Sequence, residues 1–112
     1  MLPDADEDNF LPPLTPYGIM KLGKVKLLPF FLPGDPAMGD AVRGLAGKRS
    51  AVMLANHGPV VAGKDIEAAC NAVEELEETA RLALMLRGTG AVGLTDDQVR
   101  AVVTEFNIEW DT

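Results

Sequence analysis

The chain has 112 residues, 47% of them apolar and 24% charged, which is the range of one small globular domain and not of a disordered tail. A net charge of −7 argues against a nucleic-acid surface, because phosphate binding needs clustered Lys and Arg, and the one local basic cluster is Lys21, Lys24 and Lys26. No apolar stretch approaches the ~20 residues that span a bilayer, and the leading residues are acidic (Asp4, Asp6, Glu7, Asp8), so the sequence reads as soluble and cytoplasmic, with no membrane partner. The single Cys70 cannot close an intrachain disulfide; it fits a reducing compartment and is expected as a small core residue of a helix.

Residues 1–16 carry four acidic side chains and four prolines, which predicts an extended entry segment without regular structure. Val25 to Phe31 is apolar and bounded by Gly23 and Pro33-Gly34-Asp35-Pro36, a strand signal. A helix follows, with Asp35 as N-cap, Pro36 as its first residue, Ala41, Val42 and Leu45 on its apolar face and Gly47 as its stop. Ala51–Ala55 reads as a buried strand and Pro59–Ala62 as a second, joined as a short hairpin.

From Asp65 to Arg87, Ile66, Ala69, Cys70, Val73, Leu76, Ala80, Ala83 and Leu84 recur near a 3.6-residue period, with Leu82, Met85 and Leu86 broadening the stripe, so this is the longest helix. Its glutamates (Glu67, Glu74, Glu75, Glu77, Glu78) read as a solvated face. Gly88–Gly93 lacks the strand-to-helix context of a phosphate-binding loop and reads as a connection. Thr95-Asp-Asp-Gln98 has capping-box spacing and opens a third helix to about Phe106, with Trp110 anchoring the tail. Three short strands and one broad apolar helix make a poor independent core, so the pattern suggests an incomplete domain.

The candidate functional residue is the only histidine, His57, at the end of the apolar run Ala51-Val-Met-Leu-Ala-Asn-His-Gly-Pro-Val-Val61. It stands beside Gly58, where the main chain can turn tightly and a ligand can come close. A lone histidine in a loop is more often structural than a ligand, and a catalytic zinc takes about three protein ligands.

Four segments together resemble the class II aldolase/adducin family, specifically its C-terminal half. They are Leu11-Pro-Pro-Leu-Thr-Pro-Tyr-Gly-Ile-Met-Lys-Leu-Gly-Lys-Val25, Pro29-Phe-Phe-Leu-Pro-Gly-Asp-Pro36, Ala51 to Val61, and Asn71-Ala-Val-Glu-Glu-Leu-Glu-Glu-Thr-Ala-Arg81. The likeness is nearest to the branch that decarboxylates 3-oxo-tetronate 4-phosphates. It implies an α/β fold, the C-terminal portion of a three-layer α/β/α domain with a mixed sheet flanked by helices. The partial domain would occupy residues 1–112, with the entry segment at 1–16, the core at 17–106 and a tail at 107–112.

The resemblance further implies a carbon–carbon lyase of carbohydrate metabolism that acts on a phosphorylated sugar or sugar acid. A divalent metal, usually zinc, is held by three histidines and acts as a Lewis acid. His57 matches the third ligand; the His-x-His pair, the catalytic glutamate and the phosphate loop lie upstream of the matched region and are not in this chain. Tyr17 matches a tyrosine that donates a proton in a neighbouring subunit's site, or it packs at an interface. Relatives often read Thr-Pro-Tyr-Tyr where this chain has Gly18. The family assembles as homo-tetramers, so the expected partners are further copies or a chain supplying the N-terminal half, and residues 1–9 read as the continuation of a longer protein. The isolated chain is expected to be inactive; the alternative is a non-catalytic, adducin-like assembly module.

Overall fold

The computed structural model describes residues 8–108 and 110. In chain order the elements are α1 (Pro16–Leu22), β1 (Lys26–Leu28), α2 (Pro36–Arg43), β2 (Ala51–Leu54), β3 (Gly58–Val61), α3 (Ile66–Leu86) and α4 (Asp96–Glu105). The three strands form one mixed sheet in the order β1-β2-β3. Lys26 pairs with Val52 in the parallel half, and Ala51 pairs with Val61 in the antiparallel half.

All four residues of β2 are buried. Because side chains alternate across a strand, one unbroken apolar run fills two cores. Ala51 and Met53 join Leu11, Leu22, Val25, Ala72 and Leu76 on the face covered by α1 and α3. Val52 and Leu54 join Leu28 on the other face, where Phe31, Met38, Ala41, Val42 and Leu45 close over them from α2 and its flanks. Helices on both faces of a mixed sheet give the three-layer α/β/α arrangement that the resemblance implies.

Several expectations are corrected. The entry segment passes into a helix, α1, that the proline content concealed. Thr15 caps it by accepting from Gly18 N at 3.2 Å, and Pro16 takes the first helical position, where its missing N–H costs nothing. There are therefore four helices among the described residues, not three. The Val25–Phe31 strand contracts to Lys26–Leu28, the length that β2 pairs with, and β3 starts one residue earlier than expected, at Gly58. Helix α2 ends at Arg43 with Gly44 as its cap, while Gly47 sits beyond it at φ +80°.

Cys70 is exposed. The buried stripe of α3 runs through Ala72, Leu76 and Thr79, and Cys70 lies about 200° round the helix from Ala72. The predicted apolar stripe is thus only partly used: Ile66 is 82%, Leu84 60% and Met85 68% exposed. The bounds of α3, the Asp65 and Asp35 N-caps and the Thr95–Gln98 capping box are as the sequence predicts. No helix among the described residues is long and apolar enough to cross a membrane.

The chain ends of this core are tied by polar contacts. Val25 N donates to Asn9 Oδ1 and Phe10 N to Val25 O, which lays the entry segment beside β1. Leu94 N donates to Pro13 O, and a Cβ at Gly93 would come within 2.9 Å of that same oxygen, so glycine there permits the close approach. Trp110 is half-buried, with Lys24 Nζ 5.3 Å from its ring centroid, a cation–π contact that anchors the tail as expected.

Asp8 holds two cations. Its carboxylate accepts from Arg49 at 2.7 Å and from Lys24 at 3.2 Å, and its backbone oxygen accepts from Arg49 at 2.7 Å. The hydrogen bond from Arg49, then that from Lys24, holds the carboxyl below the ordinary value of 3.8. The folded chain thus binds this proton more weakly than the unfolded one. The contribution is fully present above pH 3.8 and is lost as pH falls through the depressed folded value. Urea midpoints of wild type and Asp8→Asn are therefore expected to differ near neutral pH and to converge in acid; a difference that persists below the folded value would show that the clamp does not act through charge. Leu76→Ala is expected to lower stability by about 2–4 kcal/mol and Leu84→Ala by less than about 0.5 kcal/mol in urea unfolding, and equal losses would contradict the assignment of the α3 core face.

Candidate functional site

His57 lies in the three-residue loop that joins β2 to β3. Its backbone N–H donates to Leu54 O at 3.0 Å, closing the turn, and Ala55 N donates to Leu28 O at 3.2 Å, tying the loop to β1. The residue that turns the chain is not the adjacent glycine but Asn56, at φ +59°. Asparagine tolerates the left-handed region because its short amide can bond locally. Gly58 instead opens β3, and a Cβ there would meet nothing within 4 Å. The effect expected of the glycine, open space beside the imidazole, is present; the tight turn is made by its neighbour.

The His57 side chain is exposed, and among the described residues its ring makes no hydrogen bond. Metal-binding imidazoles are usually oriented through their second nitrogen, and that support does not come from the described residues. Among the described residues, no group of three or more His, Cys, Asp or Glu could hold a metal ion. One imidazole is one ligand, so these residues do not by themselves fit a metal ion.

Tyr17 is the second residue of α1 and is 64% exposed. Gly18 beside it is buried against α3: a Cβ would sit 3.3 Å from Thr79 Oγ1 and 3.4 Å from Thr15 Oγ1. Of the two positions, 17 presents its side chain outward and 18 faces a packed helix, where even a Cβ makes tight contacts with Thr79 and Thr15. The structure does not join Tyr17 to His57. Helix α1 ends beside the start of β2, where Ser50 Oγ donates to Leu22 O at 3.3 Å, whereas His57 follows the end of β2.

The glutamates of α3 make no catalytic pair. Glu67, Glu74, Glu77 and Glu78 are exposed, and Glu78 forms a loose surface ion pair with Arg81 at 3.8 Å. A cavity between the entry segment and α1, lined by Leu11, Thr15, Gly18 and Trp110 among others, has about 20 Å³, room for one water and not for a metabolite. A larger cleft of about 480 Å³ lies at the start of β2 and the end of β3, lined by Lys21, Lys24, Lys48, Arg49 and Lys64. Sequence reading grouped Lys21 and Lys24 with Lys26. The tertiary structure replaces Lys26 with three cations from other segments, for which no local signal existed.

Comparison with known proteins points one way. The family described as Class II Aldolase and Adducin N-terminal domain matches residues 4–84. A 3-oxo-tetronate 4-phosphate decarboxylase of Pectobacterium atrosepticum is 43% identical over 98 residues, covering 88% of this chain and 45% of that protein. Among solved structures, YgbL of Klebsiella pneumoniae superposes with a TM-score of 0.87 at 44% identity, over 90% of this chain and 49% of that one. An L-fuculose 1-phosphate aldolase superposes with a TM-score of 0.68 at 29% identity, over 87% and 47%. The chain spans about half the length of the curated relatives it matches.

Titration calorimetry of the purified chain with Zn²⁺ is expected to show no stoichiometric complex, and His57→Ala is expected to leave the unfolding midpoint unchanged because the ring is exposed. A one-to-one zinc complex abolished by His57→Ala would mean that this chain holds further ligands.

Proposed function

Because the chain belongs to the class II aldolase and adducin family, we propose that it is the C-terminal half of a metal-dependent carbon–carbon lyase acting on a phosphorylated sugar acid. The substrate class in this reading is a 3-oxo-tetronate 4-phosphate and the reaction its decarboxylation. The observation that carries it is the close match, at 43–45% identity over 76–88% of the chain, to relatives that bear that name.

Class II aldolases are in general divalent-metal dependent. In this reading His57 supplies one imidazole of a site, for zinc by resemblance, whose other ligands lie outside this chain; when bound, such an ion polarises the substrate's carbonyl. Its place supports the role. The hairpin loop fixes the backbone of His57 by the bond to Leu54 O and leaves the ring open to a partner. Tyr17 returns a proton from its hydroxyl to the carbon that loses carbon dioxide. A large, exposed aromatic on a short helix is suited to reach a neighbouring copy in a homo-oligomer, tetrameric by resemblance. A cytoplasmic setting suits phosphorylated substrates, which do not cross membranes unaided.

The second reading, a non-catalytic assembly module, is favoured by the lack of any three-ligand group among the described residues. One experiment separates the two. This chain is joined to the N-terminal half of a relative that carries the His-x-His pair, and carbon dioxide release from a 3-oxo-tetronate 4-phosphate is followed with zinc present. The expected result is no turnover by the chain alone, turnover by the joined protein, loss of it in His57→Ala and a fall of about 10²-fold in Tyr17→Phe. A folded but inactive joined protein would favour the module, and turnover by the chain alone would overturn the account of what it lacks.

A further inference from the structure

We propose that the cleft between the last turn of α1, the segment before β2 and the segment after β3 is a binding site for a small phosphate-bearing anion. Five of the chain's ten basic side chains line it (Lys21, Lys24, Lys48, Arg49, Lys64), and among the described residues no Asp or Glu belongs to the lining. On a chain of net charge −7 this is a local reversal of sign. Gathering like charges from three separate segments opposes folding unless an anion is bound or something else offsets the repulsion.

Asp8 offsets part of it, by holding Lys24 and Arg49. That contact also shows that the wall of the cleft accepts an anionic oxygen at hydrogen-bond distance. Among the described residues Lys21, Lys48 and Lys64 take part in no ion pair. Lys21 stands at the C-terminal end of α1, where a cation is favoured by the helix dipole, but Lys48 and Lys64 have no such local reason. Asn107 adds an uncharged amide to the lining.

The volume of about 480 Å³ suits a small molecule. Three ammonium groups, each with three donors, match the charge and the several terminal oxygens of a phosphate better than a single carboxylate. A long polyanion is disfavoured, because beyond the cleft it would meet the acidic remainder of the chain.

The site is at the other end of the β2–β3 hairpin from His57, roughly 13 Å of strand away. A four-carbon phosphate touching His57 could not also reach this cleft in the same chain. The proposal therefore does not depend on the activity proposed above.

The test uses the 112-residue chain labelled with nitrogen-15 and titrated with inorganic phosphate and with pyrophosphate at constant ionic strength. Saturable amide shifts are expected at residues 21–24, 47–50 and 62–64. The double variant Lys48→Gln/Lys64→Gln should bind about tenfold more weakly, with Lys21→Gln as an independent second variant and Lys26→Gln, outside the cleft, as an unaffected control. Both substituted positions of the double variant are exposed, and its circular dichroism should match wild type. Shifts reproduced by matched sodium chloride, or equal affinity of the folded double variant and wild type, would overturn the proposal.

Discussion

Burial of β2 on both faces is the constraint on which the rest of the molecule depends. Four consecutive residues, Ala51 to Leu54, pair with an antiparallel neighbour on one side, Val52 to Leu54 pair with a parallel neighbour on the other, and the four supply side chains to both cores. Each large apolar side chain so buried contributes about 1.5–3 kcal/mol. The same geometry sets the position of everything functional. What lies before Ala51 is gathered with the end of α1, and what lies after Leu54 is carried to the far end of the sheet.

The two helix layers are unequal. Helices α1 and α3 close one face with Leu22, Ala72 and Leu76 buried, whereas α2 buries no residue of its own and covers the other face with half-buried side chains. Among the described residues the sheet has three strands, with β1 and β3 at its two edges, and Leu84, Met85 and Ile66 of α3 remain exposed. Relatives about twice as long as this chain share its fold over their matched half. A chain organised in this way has apolar surface and strand edges available for further structure, which is the physical side of the proposal that it works as half of a larger site.

Charge is distributed with the same economy. Seventeen carboxylates give the chain its acidity, and the four glutamates on the outer face of α3 are solvated. The basic residues that matter structurally, Lys24 and Arg49, are both held by the Asp8 carboxylate, from 16 and 41 residues away. His57 stands apart from all of this, on a loop whose backbone is fixed and whose side chain is not.

The sequence by itself determined the elements whose signals are local: the N-caps Asp35, Asp65 and Thr95, the capping box with Gln98, the long helix, and the buried strand ending near His57. It also carried the family, through four ordered segments. It concealed α1, because prolines that mark an extended chain also begin helices, and it placed Cys70 and half of the α3 stripe in a core that this chain does not supply. Periodicity reports which residues share a helix face; it does not say how much of that face has a neighbour. Only the tertiary structure decided that Asn56 and not Gly58 turns the hairpin, that Gly18 faces α3 while Tyr17 faces outward, and that Lys48, Arg49 and Lys64 join Lys21 and Lys24 in one cleft. Those outcomes depend on which distant segments the sheet brings together, and no local pattern encodes that.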